Sequence, residues 1–234
     1  MRIDPTRWSM ITSLQGGDAA RARKALEELC QVYWTPLWAW ARRQGLDAES
    51  SADLVQGFFA MLLEKEDFAE LAPERGKFRS WLLAALRHHW SHEREKAAAA
   101  KRGGGSRLLP IHAATADGEL LVVAADEPTP EAAFERQWAL HVMASAARRV
   151  REAYAAEGKA ELHAALEPAL QGDLEDVADL AQRLATSEGA VRVAASRLRR
   201  RFGDELRAMV AETVEDEGEV EEELAALLRA LSAR

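Results

Sequence analysis

Apolar positions along this chain recur mostly every three or four residues rather than every second one. From Ala19 onward the run ALEELCQVYW sets Leu26, Leu29, Tyr33 and Trp34 at helical spacing. Thr35-Pro36 reads as a cap followed by a first-turn proline, restarting a helix as LWAWARRQ that Gly45 ends. Ser50 or Ser51 is placed to cap the next helix, ADLVQGFFAMLLEK, whose apolar side carries Leu54, Val55, Phe58, Phe59, Leu62 and Leu63. After a charged loop from Glu66 to Gly76, KFRSWLLAALRHHWSHEREKAAAAKR predicts a long helix, stopped by Gly103, Gly104 and Gly105. Its core stripe is Phe78, Leu82, Ala85 and Leu86. Leu83, Arg87, Trp90 and Arg94 line another side.

From Gly104 to about Pro130, glycines, Pro110, Pro128 and Pro130 and an acidic bias mark a linker. The short run ELLVVAA within it is a marginal strand at best. A second helical set follows: PEAAFERQWALHVMASAARRVREAYAAE, KAELHAALEPALQ, LEDVADLAQRLAT and an arginine-rich helix. EVEEELAALLRAL closes the chain, with Val220, Leu224, Leu227, Leu228 and Leu231 on one face. The fold expected is all-α. Two helical domains, 1–103 and 131–210, are joined by a flexible linker over 104–130 and followed by an acidic helical tail over 211–234.

Composition supports that reading. Hydrophobic residues make up 48% of 234 positions, enough for real cores. The single cysteine, Cys30, excludes a disulfide framework within the chain, and the sequence offers no apolar run of membrane-spanning length. A cytoplasmic protein is expected, with no membrane partner. Charge changes the picture more. The net charge is −8, yet Arg75 to Arg107 is a basic island and Arg192 to Arg201 a second one, while the tail is dominated by Glu and Asp. Two basic surfaces suggest two contacts with a polyanion.

The second island lies in DVADLAQRLATSEGAVRVAASRLRRRF. Val177, Leu180, Ala181 and Leu184 are expected to face Val191, Ala195, Leu198 and Phe202. Ser187 is a fitting N-cap, and Gly189 is expected to leave room for a close partner helix. This is the pattern of a helix-turn-helix. Arg192, Ser196, Arg199 and Arg200 then share an exposed flank, with Arg197 and Arg201 opposite, so guanidinium donors and a hydroxyl are offered to a major groove. The bland alternative is a solvated helix in a protein that uses arginine freely. In the first island, Lys77, Arg79, Arg87, Trp90 and Arg94 interleave bases with aromatics, which suits single-stranded nucleic acid; Trp81 is expected to be core, and Trp90 could equally be so. His88 and His92 sit one turn apart but lack the further ligands of a zinc site, and no acid/base pair, phosphate loop or nucleophile elbow is evident. No enzyme activity, metal, cofactor or small-molecule substrate is expected.

Three stretches resemble the bacterial RNA polymerase sigma factors of the small, two-domain, extracytoplasmic-function group. ALEELCQVYWTPLWAWARR with ESSADLVQGFFAMLLEK is similar to the start of the family's sigma-two domain. ERGKFRSWLLAALRHHWSHEREKAAAAKR is similar to its end, and LEDVADLAQRLATSEGAVRVAASRLRRRF to the sigma-four helix-turn-helix. The resemblance implies core RNA polymerase and promoter DNA as partners, and an anti-sigma protein as a further candidate. It implies that Asp53, Leu54, Gln56, Phe58 and Phe59 dock on polymerase. Lys77, Arg79, Arg87, Trp90 and Arg94 would hold the melted minus-ten strand, and the loop Glu66–Lys77 would capture a flipped base. Ser187, Arg192, Ser196, Arg197, Arg199 and Arg200 would read the minus-thirty-five element. That loop is longer and more acidic than the family's usual connector. The chain also continues past the helix-turn-helix, and the acidic tail is expected either to fold back on the recognition helix or to cap the second domain. The competing readings are a helix-turn-helix regulator that binds duplex DNA without docking to polymerase, and a helical protein-interaction module.

Overall fold

The computed structural model describes residues 19–64, 77–100, 129–172, 174, 176–214 and 216–232. The expected linker, the ELLVVAA run and the loop before Lys77 lie outside these residues. The described elements are helical, with no strand among them: α1 (Ala19–Arg43), α2 (Ala48–Glu64), α3 (Phe78–Ala100), α4 (Pro130–Ala156), α5 (Ala160–Leu166), α6 (Val177–Arg183), α7 (Glu188–Ala211) and α8 (Val220–Ser232). Short 3-10 turns follow α5 and precede α8.

Two compact units form. The first comprises the described parts of residues 1–140 and 211–234; the second is residues 141–210. Residues 131–140 and the tail therefore group with the first unit, where the sequence pattern had assigned them to the second domain and to a separate segment.

In the first unit, α1 supplies Leu29, Tyr33, Leu37 and Trp40, α2 supplies Val55, Phe58 and Leu62, and α3 supplies Phe78, Leu82 and Leu86, all buried. Tyr33 meets Phe78 edge-on at 5.4 Å and Trp34 stacks on Phe59 at 6.1 Å, tying α1 to both neighbours. Pro36 does not restart α1: the helix runs unbroken through it. A helix-interior proline removes one hydrogen bond, at a cost of about 3 kcal/mol. Burial of Tyr33 and Leu37 on either side holds the turn together. Gly45, at φ +90°, ends the helix as expected. The cap of α2 is Asp47, whose carboxylate accepts the Ser50 N–H at 2.7 Å, while Ser51 is fully buried. That hydrogen bond holds the exposed Asp47 carboxyl below its usual range.

The second unit packs Val150 and Tyr154 of α4, Leu166 of α5, Leu180 and Ala181 of α6, and Val191, Ala195 and Leu198 of α7 into one core. Val177, Leu184 and Phe202 pack at its edge, so the two predicted stripes meet as the pattern requires.

Candidate nucleic-acid interface

The turn between α6 and α7 is built by local chemistry. Ala185 takes a left-handed conformation at φ +49°, and the Thr186 N–H donates back to the Ala181 carbonyl at 2.9 Å. Ser187 Oγ then accepts the Ala190 N–H at 3.2 Å, capping α7. Gly189 plays no close-packing part, because a Cβ there would meet only Ser187 Oγ at 4.0 Å. The sharp change of direction comes from Ala185, a position the sequence did not single out. Asp176, also left-handed at φ +49°, caps α6 by accepting the Asp179 N–H at 2.9 Å.

Along α7 the arginines divide into two kinds. Arg199, though exposed, is tied to the backbone of its own unit: its Nε donates to the Ala169 carbonyl at 2.8 Å and one terminal nitrogen to the Gly172 carbonyl at 2.6 Å. It thus fastens the segment after α5 and has little freedom to read a base. Arg201 donates to Glu157 at 2.7 Å and lies over the Tyr154 ring at 5.1 Å. Lys159 donates to the same carboxylate, and the two bases hold the Glu157 carboxyl below its usual range. Arg192 makes only an exposed i,i+4 pair with Glu188 at 3.2 Å, a contact that costs little to exchange for a phosphate. Arg197 and Arg200 are exposed and form no ion pair among the described residues.

Val193, Ser196, Arg197 and Arg200, at i, i+3, i+4 and i+7, therefore share an exposed face of α7, so Arg197 joins Ser196 and Arg200 rather than opposing them as expected. Val193 is 51% exposed, one of few large apolar side chains so placed among the described residues, and helical spacing does not separate it from its apolar neighbours. Beside this face lies an open cleft of about 410 Å³, lined in part by Tyr154, Lys159, Arg197, Arg200 and Arg201. The surface offers exposed cations, a hydroxyl and an apolar group, the set needed to contact phosphates and major-groove base edges, including a thymine methyl.

In the first unit the five expected strand-binding residues are held unequally. Arg94 is exposed and stacks over Trp90 at 5.0 Å. Trp90 is half-buried, edge-on to Trp40 at 5.5 Å. Arg87 pairs with Glu131, which also accepts the Trp40 indole N–H at 3.3 Å. Burial pushes the Glu131 carboxyl up, but hydrogen bonds from its own backbone, Trp40 and Arg87 outweigh that and hold it low. Arg79 is only 6% exposed. It donates to Glu135 at 2.7 Å, stacks over Trp138 at 4.6 Å and pairs with Glu223. Lys77 pairs with Glu222 at 3.1 Å and Glu223 at 2.9 Å.

On α2, Leu54, Phe58 and Phe59 are buried in the unit's own core, whereas Asp53 is exposed and Gln56 and Gly57 are half-buried. The expected docking residues thus divide into a polar ridge open to a partner and a hydrophobic underside already used. Gly57 packs close to His89, whose Nε2 would lie 3.4 Å from an added Cβ. Burial, here against Phe58 at 6.0 Å, lowers the His89 pKa. Glu93 partly opposes this, while Lys96 and His92 reinforce it. No helix is long and apolar enough to cross a membrane, and no cluster of metal-ligating side chains occurs, among the described residues.

No protein-family model, curated protein or solved structure matches this chain.

Proposed function

We propose that the chain is a sigma-type initiation factor, which binds core RNA polymerase and directs it to promoter DNA without performing chemistry itself. One observation carries the reading: a capped helix-turn-helix whose second helix presents Val193, Ser196, Arg197 and Arg200 on one unpaired face. The ordered likeness of the three sequence stretches to sigma factors extends that reading from duplex binding to polymerase docking, through Asp53 and Gln56. The stacked pair of Trp90 and Arg94 is chemically suited to an unpaired strand.

A second reading is favoured by the burial of Leu54, Phe58 and Phe59, which makes much of the expected docking helix ordinary core. On that reading the protein is a duplex-binding regulator that never engages polymerase. Co-sedimentation with core polymerase separates the two. A sigma factor enters the polymerase peak, and Asp53→Arg reduces that entry while leaving the fold intact. A regulator binds duplex promoter fragments with steep salt dependence but stays out of the peak.

A further inference from the structure

Among the described charged side chains, Glu223 is the acidic one taken fully out of water, at 0% exposure. It sits in the first turn of α8, in the register Val220, Glu223 and Leu227 that forms the buried side of that helix. Placing a carboxylate in an otherwise apolar stripe is costly unless cations meet it. Two do: Arg79, itself nearly buried, and Lys77 at 2.9 Å. Arg79 is further set by stacking over Trp138, which is fully buried, and by Glu135 at 2.7 Å. The result is a cluster of a guanidinium, an ammonium and an aromatic face, closed over by an acid of α8.

We propose that this cluster is a phosphodiester-binding pocket of the first unit, and that α8 is its built-in competitor. The inference rests on the strand-binding reading above, and adds that the site is closed in the free protein. A carboxylate and a phosphate oxygen make the same charge-assisted bonds to guanidinium and ammonium groups. Glu222 and Glu223 therefore occupy the positions that a strand's phosphates need. The acids at 221 to 223 also give this helix a local negative field that repels a polyanion. Competition is on the basic pair at the start of α3, not on the recognition helix, where the tail's charge alone would have suggested it.

The test measures binding of a fluorescein-labelled single-stranded oligothymidylate by anisotropy at low salt. The full chain is compared with Glu223→Gln, and with Glu219→Gln, which removes the same charge from an exposed position. Opening of the pocket predicts about tenfold tighter binding for Glu223→Gln, a ratio typical of allosteric coupling. Glu219→Gln should stay within about twofold, as for a surface charge. The gain should vanish in the Glu223→Gln, Arg79→Gln double variant. Equal affinity of the native chain and a cooperatively melting Glu223→Gln overturns the proposal and leaves polymerase docking untouched. Failure of every variant to bind the strand, with no entry into the polymerase peak, overturns the reading beneath it. Should Glu223→Gln not fold, hydrogen exchange on the native chain decides. Saturating oligonucleotide must speed exchange in α8, and unchanged exchange overturns the proposal.

Discussion

Arg199 and Arg200 are adjacent and chemically identical, yet their surroundings give them different work. Arg199 satisfies two backbone carbonyls, so Arg199→Ala should cost about 1–2 kcal/mol of stability, read from denaturant midpoints. Any loss of DNA binding would follow from that loosening. Arg200 is exposed with no ion pair among the described residues, so Arg200→Ala should leave the midpoint unchanged within about 0.5 kcal/mol. Duplex affinity should nevertheless fall, and the salt slope should shrink by about one unit if the contact is to phosphate. Helical spacing places both residues on α7 but cannot separate them, because the carbonyls that capture Arg199 belong to Ala169 and Gly172, some thirty residues earlier in the chain. His89 provides a second residue-scale expectation. Its folded pKa lies below the unfolded value, so the neutral ring is the stabilising form. Stability from this site is complete above the unfolded value, near 6.5, and is lost as pH falls through the lower folded pKa. His89→Asn should flatten the pH dependence of the melting temperature in that acid window. An unchanged slope would show that His89 is not the group responsible.

At the scale of the element, α7 depends on its first turn. Ser187→Ala removes the cap and should cost about 1 kcal/mol, while Ala185→Gly should stabilise by a few tenths to about 1 kcal/mol, because glycine accepts the left-handed backbone without a Cβ penalty. Both are read by thermal melts, and the reverse order of stabilities would contradict a left-handed Ala185 and a Ser187 cap. Such periodic features were legible in advance: the Val191, Ala195 and Leu198 stripe, the Ser187 cap and the stop at Gly45 all occur as the pattern predicted. The break expected at Pro36 does not occur, because packing on both sides of α1 outweighs a local propensity. On α8 apolar spacing puts Leu228 on one face with Val220 and Leu227, although it is 56% exposed, and gives no sign that Glu223 is buried. A carboxylate enters the buried stripe only where distant cations await it, and Lys77 and Arg79 lie some 145 residues away in sequence.

For the whole molecule, the two basic islands of an acidic chain have different fates. On α7, Arg192, Arg197 and Arg200 remain exposed, whereas the pair at the start of α3, Lys77 and Arg79, is neutralised within its own unit by Glu222, Glu223 and Glu135. The charge asymmetry in the sequence located both islands; which acids answer which bases is a property of tertiary structure. The most direct test of the account is promoter-directed run-off transcription with purified core polymerase and a panel of duplex fragments. A sigma-type initiation factor should give transcripts that appear only when the chain is added, that weaken with Asp53→Arg, and that weaken again with the Arg197→Ala, Arg200→Ala pair. Salt-sensitive binding of the fragments with no transcript from a polymerase that is active with another initiation factor would contradict it.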